Sequence, residues 1–243
     1  MLAGVRFARF ADRMTNAFGL VLLLILLTYV LISVTSYRGW AGALTSVVAA
    51  TTATVGLTTA RARLSVVHWA VRAALVAVAL GIAAAASGEQ ALLGFSALIQ
   101  VLLLSAAAIA VLRAVMTETH VGFRTILGAI SVYLSLALLF TYLYVALDRL
   151  ESSPFFGTTK LGTGDFVFFS ITTLTTTGYG NLVPTGQPGK MFAGLEMFIG
   201  QVFVVTLIAG LVSLWRPGQW AREREERTEE SSPSDEVGRP KRA

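Results

Sequence analysis

Cysteine is absent from the 243 residues, and charged residues make up only 14% of them. Without cysteine the chain forms no disulfide and offers no thiolate ligand to a metal. Soluble domains carry about 25% charged residues, so a chain that is 55% hydrophobic, with a mean hydropathy of +0.70, belongs to the membrane class. The net charge of +5 is modest, and its basic residues lie at segment ends, which favours membrane orientation over nucleic-acid binding.

Four apolar segments precede residue 124, at positions 17–34, 40–60, 66–86 and 91–112. Each has about the length that a helix needs to cross a bilayer. The first segment follows Arg6, Arg9 and Arg13, and no small-residue cleavage site comes after it. We therefore predict a retained helix with a cytoplasmic amino end, and not a signal peptide.

The second segment is the weakest of the four, because it is rich in alanine and threonine and contains Thr54-Val55-Gly56-Leu57. If it entered the membrane and turned back, Arg61 and Arg63 would lie outside. A full span keeps both arginines inside, as the distribution of basic residues in membrane proteins favours. We predict a full span whose small residues allow close helix packing.

A run of threonine and glycine, Thr175-Thr176-Thr177-Gly178-Tyr179-Gly180-Asn181, lies between the apolar segments 125–147 and 191–215. We call residues 175–181 the Thr/Gly segment. Threonine and tyrosine favour strands, and glycine opens conformations that other residues reach only with strain. Irregular polar backbone at membrane depth is tolerated only where protein buries it or where it lines a water-filled path. Asp165 is placed to cap a short helix that runs to about Thr175.

With an apolar, aromatic stretch before it and Pro184 after it, this run resembles the filter of the tetrameric potassium-channel family. In that family four copies of a Thr-Val-Gly-Tyr-Gly loop replace the hydration shell of K⁺. The resemblance covers residues 124–215. It implies an all-α transmembrane protein with six spans, and a re-entrant pore helix and filter before the last span. It also implies a homotetramer, because one chain supplies a quarter of the filter.

The resemblance also implies roles for individual residues. K⁺ would be coordinated at Thr176, Thr177, Gly178 and Tyr179, and Gly180 would allow the backbone to alternate. The pore helix would support the filter through Asp165, Phe168, Phe169 and Thr172, and the filter exit would contain Asn181 and Pro184. Gly200 lies in the middle of the last span and is a candidate gating hinge, with close helix packing as the alternative.

Three positions depart from the family pattern. Thr177 replaces the usual valine or isoleucine, Asn181 replaces a common aspartate, and Thr172 stands where some members carry a glutamate. The carboxylate pair behind the filter is therefore absent. Selectivity should survive because the coordinating atoms are backbone carbonyls. No prediction is made for filter inactivation. Glu196 on the last span is either a functional acid or a hydrogen-bonding group behind the filter.

In voltage-gated relatives the fourth span carries a ladder of arginines, but here residues 101–108 are uncharged and Arg113 stands alone at the end. We therefore expect passive, potassium-selective conduction that is voltage-independent or weakly gated. No enzymatic activity, nucleic-acid partner, small-molecule ligand or cofactor other than permeant K⁺ is expected.

The predicted organisation has three parts: a four-span membrane module (1–123), an ion-conducting pore domain (124–215) and a charged cytoplasmic tail (216–243). Both termini are expected on the cytoplasmic side of the plasma membrane. Three alternatives remain open. The nearest is a poorly selective cation channel, because Thr177 and Asn181 lie in or beside the filter. The others are a secondary transporter, which would need repeated broken helices, and a non-conducting membrane subunit.

Overall fold

The structure is a computed structural model that describes residues 2–35, 41–117, 123–158 and 161–214, and within these ranges it holds seven α-helices and no strand. The helices are α1 (Leu2–Thr35), α2 (Ala41–Thr59), α3 (Leu64–Ser87), α4 (Gln90–Met116), α5 (Phe123–Leu150), α6 (Thr163–Leu174) and α7 (Gln187–Leu214). The predicted all-α fold is therefore confirmed for the described residues.

Five of these helices are long and apolar enough to cross a membrane: α1 from Phe18 onward, α3, α4, α5 and α7. A multi-pass membrane protein is thus supported. The shorter apolar helix α2, counted from Ala43 to Thr59, falls below this length, so the sixth span stays a prediction. Helix α6 has 12 residues. At 1.5 Å per residue it extends about 18 Å, well short of the roughly 30 Å hydrocarbon core.

The chain divides into two compact units, residues 1–205 and residues 206–243. In the second unit the described residues, 206–214, form the end of α7. The predicted cytoplasmic tail (216–243) lies outside the described residues, as do residues 118–122 between α4 and α5. The three-part organisation of the chain stays a prediction.

Small residues bring α2, α3 and α4 close together. Thr54-Val55-Gly56-Leu57 lies inside α2 and not in a loop, as a continuous span requires. A Cβ added to Gly56 would lie 3.3 Å from the Cβ of Ala107 on α4, and one added to Gly81 on α3 would lie 3.1 Å from the Ser46 hydroxyl on α2. The predicted close packing is confirmed at these two contacts.

Helix α5 joins the first four helices to the last two. It runs antiparallel to α4, because Gly94 near the start of α4 faces Leu150, and Val115 near its end faces Gly128. The Tyr29 hydroxyl of α1 donates to the carbonyl of Leu134 on α5 at 2.9 Å. These contacts fix α5 along its length against the first unit's other helices.

Helices α6 and α7 run in the same direction. Glu196 of α7 lies beside Ser170 of α6, and one turn further on Gly200 faces Leu174 at the end of α6. The residues after α6 must therefore lead back toward the start of α7, where Pro184 lies against Gly189. This turn contains the Thr/Gly segment.

Candidate functional site

The short helix α6 buries one face and is anchored at its first turn. Phe166, Phe169, Ser170 and Thr173 are buried at the helical spacing of three and four residues. Gly162 precedes the helix in an extended conformation, and its amide donates to the Asp165 carboxylate at 2.9 Å. Asp165 therefore reaches back from the first turn, and the helix begins two residues before the position predicted for the cap.

The amides of the Thr/Gly segment turn toward the carboxyl end of α6. The Thr176 amide donates to the Thr173 carbonyl at 3.0 Å. The amides of Thr177 and Gly178 both donate to the Thr172 carbonyl, at 2.8 Å and 3.1 Å. The amides of the Thr/Gly segment thus donate hydrogen bonds to the free carbonyls at the end of α6. As a result these amides all point to the same side of the segment.

Left-handed backbone alternates along the Thr/Gly segment. Thr176, Gly178 and Gly180 have φ angles of 57°, 53° and 75°, whereas Thr177 and Tyr179 between them do not have positive φ. Successive carbonyls of an ordinary strand point to opposite sides, and reversing the hand at every second residue turns them to the same side. Among the described residues, none donates a hydrogen bond to the carbonyls of residues 176–179.

Thr176 adopts this conformation without being glycine. A left-handed conformation costs a residue with a side chain about 1–2 kcal/mol. Such strain persists only where the surrounding structure determines it, and it concentrates at functional sites. Here that constraint comes from the hydrogen bonds that the backbone amides of Thr175, Thr176 and Thr177 donate to carbonyls of α6.

Threonine hydroxyls join the segment to α6 a second time. The hydroxyls of Thr175 and Thr177 lie 2.9 Å apart, and the Thr175 hydroxyl also donates to the Ile171 carbonyl at 2.8 Å. Thr172 is buried, and its hydroxyl bonds within α6 to the Phe169 carbonyl at 3.0 Å. The side chain that stands where some family members carry a glutamate is therefore satisfied locally.

A cavity of about 390 Å³ lies beside the segment. Thr172, Thr176 and Gly178 line one part of it, and Lys190 and Met197 of α7 line another. No aspartate or glutamate is among its lining residues, all of which the structure describes. Asn181 is exposed and Pro184 is buried at the outer end of the turn.

The two phenylalanines predicted to surround the segment have different environments. Phe168 is 40% exposed and stacks on Tyr179, with ring centroids 5.6 Å apart. Phe169 is buried among rings from α5 and the following loop, including Tyr144 at 5.2 Å and Phe156 at 5.1 Å. Phe168 therefore supports the segment directly, whereas Phe169 fixes α6 to α5.

A buried carboxylate ties three helices together behind α6. Glu196 of α7 is fully buried and accepts hydrogen bonds from the Tyr144 hydroxyl of α5 at 2.6 Å and the Ser170 hydroxyl of α6 at 2.5 Å. The Ser170 hydroxyl also lies 2.8 Å from the Ala137 carbonyl of α5. Of the two roles left open for Glu196, the contacts support the hydrogen-bonding one.

Gly200 of α7 lies against the last residue of α6. A Cβ at this position would lie 2.5 Å from the Leu174 carbonyl oxygen and 2.8 Å from Leu174 Cδ1. The same carbonyl accepts a hydrogen bond from the Tyr133 hydroxyl of α5 at 3.2 Å, and the Tyr133 ring stacks on Phe203 of α7. This close approach supports packing as one role of Gly200, and the hinge stays a prediction.

Ser170, Tyr144 and Tyr133 were not among the predicted site residues. The sequence signal that could have indicated them is a polar side chain within an otherwise apolar helix. A glutamate inside a span requires donors, and a serine and a tyrosine on neighbouring apolar helices are the residue types that supply them.

In the single chain the site is open. All residues of the Thr/Gly segment are exposed, and the Tyr179 side chain is 70% exposed. Along α7, apolar side chains such as Phe198, which is 66% exposed, also lack cover within the described chain. No group of three or more histidine, aspartate or glutamate side chains that could hold a metal ion occurs in the described ranges.

Residues 126–216 match the family model described as "Ion channel". The match spans α5, α6, the Thr/Gly segment and α7. It covers less than half of the chain, so it supports an ion channel through this part alone. No curated protein and no solved structure matches the chain.

Proposed function

We propose that the protein is a potassium-selective ion channel that conducts K⁺ passively as a homotetramer in the plasma membrane. The observation that carries this proposal is the alternating left-handed backbone at Thr176, Gly178 and Gly180. It gives the Thr/Gly segment one side with amides bonded to α6 and another side with unbonded carbonyls. A column of carbonyl oxygens is what a partly dehydrated K⁺ requires.

The direction of α6 adds to the preference for a cation. The carboxyl end of a helix carries a partial negative charge of about half an elementary charge. Helix α6 ends at Leu174, directly before the Thr/Gly segment. In the proposed tetramer four such ends would face one axis, so a cation there would be stabilised from four directions.

The exposure of the site supports assembly. Polar, irregular backbone cannot face lipid, so the open Thr/Gly segment needs either further protein or a water-filled path beside it. Four copies around one axis provide both, with the carbonyls toward the path and the Tyr179 and Phe198 side chains against a neighbouring copy. One chain cannot surround an ion with a single segment.

Helix α4 supports the absence of strong voltage gating. Its buried residues are all uncharged, and Arg113 lies in its last turn. We propose that both termini are cytoplasmic, which places Arg61, Arg63 and Arg113 on the inner side of the membrane.

The test is ion flux into liposomes that contain the purified protein, first under a potassium gradient and then under a sodium gradient. We expect K⁺ flux well above Na⁺ flux, block by Ba²⁺, and a mass in detergent that corresponds to four chains. The variant Gly178→Ala should reduce the K⁺ flux to background, because a side chain at φ 53° strains the carbonyl column.

Gly19→Ala is the matched control, because a Cβ at Gly19 of α1 meets nothing within 4 Å. Its flux should equal that of the unmodified protein. Equal K⁺ and Na⁺ fluxes would instead support a poorly selective cation channel. A folded protein that shows no flux in either gradient would overturn the proposed passive conduction.

A further inference from the structure

A cavity of about 610 Å³ lies at the ends of α2 and α4, next to the start of α3 and away from the Thr/Gly segment. Three arginines line it: Arg61 and Arg63 between α2 and α3, and Arg113 in the last turn of α4. None of its lining residues, all within the described chain, is an aspartate or a glutamate. The described lining therefore carries three formal positive charges and no negative one.

The rest of the lining is apolar. Among the apolar lining residues Leu57 is fully buried, whereas Val66 and Ile109 are exposed. Binding pockets for small molecules have volumes of about 300–1,000 Å³, with mostly apolar walls and a few placed polar groups. This cavity has a volume in that range, a mostly apolar lining and three charged side chains.

The backbone at Arg61 is fixed in a conformation that normally requires glycine. Helix α2 ends with the Ala62 amide donating to the Leu57 carbonyl at 3.0 Å and the Arg61 amide donating to the Thr58 carbonyl at 3.1 Å. This pattern places residue 61 in the left-handed position at the helix end, where glycine is the common choice. Here an arginine holds it with φ 54°. A charged side chain is thus kept at the cavity at a cost in backbone strain.

The position of the cavity at the helix ends fits a membrane surface. It opens where α2 and α4 end and α3 begins, so it lies at one end of three apolar helices. Trp69, near the start of α3, is 68% exposed, and the Arg72 guanidinium lies over its ring at 5.1 Å. Exposed tryptophan and arginine are typical of the headgroup region of a bilayer. The orientation proposed above places this cavity in the inner leaflet.

We propose that this cavity binds the headgroup of an anionic phospholipid, with the first part of one acyl chain along its apolar wall. Arginine guanidinium groups form paired hydrogen bonds with phosphate oxygens, so Arg63, directly before α3, and Arg113, in the last turn of α4, hold the phosphate from two sides. Basic pockets between membrane helices favour acidic lipids, and the apolar wall excludes a fully hydrated free anion. This site is independent of ion conduction.

The experiment measures the thermal stability of the purified protein in detergent as phosphatidylglycerol or phosphatidylcholine with the same acyl chains is added, together with lipid retention by native mass spectrometry. Phosphatidylglycerol should stabilise the protein and phosphatidylcholine should not. In Arg63→Gln/Arg113→Gln the half-effective concentration should rise about twenty-five-fold, since each interfacial charge contributes about fivefold. Arg61 is left unchanged because its backbone ends α2.

Two further variants separate the cavity from charge in general. Arg72→Gln removes one positive charge outside the cavity and should leave the lipid response unchanged. Ala110→Phe keeps every charge but fills part of the apolar wall, and it should weaken the response to phosphatidylglycerol. Glycerol 3-phosphate and inorganic phosphate are added in separate arms and should not substitute for the lipid.

Four results would overturn the proposal. The first is an unmodified protein that responds equally to both lipids. The second is an equal loss of response in Arg72→Gln and in the double variant, which would indicate a general charge effect. The third is stabilisation by glycerol 3-phosphate or inorganic phosphate at the same concentration as the lipid, which would indicate a site for free anions. The fourth is an unchanged lipid response in Ala110→Phe.

Discussion

The first four helices and the last three treat buried polar groups in different ways. Among helices α1 to α4 the buried polar contacts are between neutral groups. Examples are the Thr28 and Thr52 hydroxyls, 3.2 Å apart, and the Gln100 amide, which donates to the Ser46 carbonyl at 2.9 Å. Between α5 and α7 the central polar residue is a fully buried carboxylate, Glu196, with two hydroxyl donors. The left-handed Thr176 also lies in this second region.

Helices α1–α4 thus form a region packed through neutral polar contacts, here called the packing region, whereas α5–α7 surround the candidate site. Neutral serine and threonine hydroxyls mostly bond to carbonyls of their own helix, as Thr52 does to Val48, and they place little demand on their neighbours. A buried carboxylate requires partners on other helices, and a strained backbone requires a rigid surrounding. We infer that the contacts between α5 and α7 provide the rigid surrounding that the strained Thr/Gly segment requires.

The largest stability effect should come from removing the buried carboxylate. Glu196→Leu leaves the Tyr144 hydroxyl without an acceptor in a buried site, so we expect a loss of about 1–3 kcal/mol. Gln100→Leu makes a similar change in the other region. There the amide oxygen already has no partner among the described residues, and its removal offsets the loss of the hydrogen bond to Ser46, so stability should change little.

Denaturant or thermal unfolding of both variants in detergent, with helical content as the readout, checks this contrast. Similar losses for the two variants would show that the regions do not differ in their polar packing. A loss confined to Gln100→Leu would reverse the comparison.

Two glycines sharpen the same comparison with effects that should be no larger. Gly200→Ala places a Cβ 2.5 Å from the Leu174 carbonyl oxygen, a backbone atom that cannot move aside, so we expect a loss of about 1–3 kcal/mol and reduced K⁺ flux. Gly56→Ala places a Cβ 3.3 Å from Ala107 Cβ, which a small helix shift relieves, so stability should change by less than about 1 kcal/mol. Thermal unfolding and flux are measured on the same preparations.

This pair of variants also separates packing from bending at Gly200. If Gly200 acts only as a hinge, Gly200→Ala will lower the flux without lowering the unfolding temperature. If it acts through packing, both will fall together. Gly194→Ala on the same helix, where a Cβ meets nothing within 4 Å, controls for a general effect of alanine in α7.

Much of the helical framework could be predicted from the sequence because it depends on local hydropathy. The third apolar segment, predicted at 66–86, forms the helix Leu64–Ser87, and the fourth, predicted at 91–112, forms Gln90–Met116. The start of α6 differs from the predicted start by three residues. The sequence predicts Asp165 as the residue before the helix, whereas Gly162 holds that position and Asp165 lies in the first turn.

Contacts between distant parts of the chain could not be predicted in the same way. The partners of Glu196 come from 52 and 26 residues away, and nothing in the local sequence pairs them. The cavity at Arg61, Arg63 and Arg113 likewise forms only when α2 and α4 end at the same level. The Thr/Gly segment was found because its composition conflicts with an ordinary span. Its alternating backbone, by contrast, depends on the hydrogen bonds that its amides donate to α6.

The smallest expected effect concerns membrane potential, and it tests whether α4 belongs with the packing region. Moving one elementary charge across about 100 mV supplies about 2.3 kcal/mol, which changes an open–closed equilibrium by roughly fiftyfold. Because Arg113 lies in the last turn of α4 and the buried residues of that helix are uncharged, K⁺ conductance should change by less than about twofold over this range. Arg113→Gln should give the same voltage response in a planar bilayer. A steep voltage response that disappears in Arg113→Gln would show that α4 carries a gating charge and belongs with the functional helices.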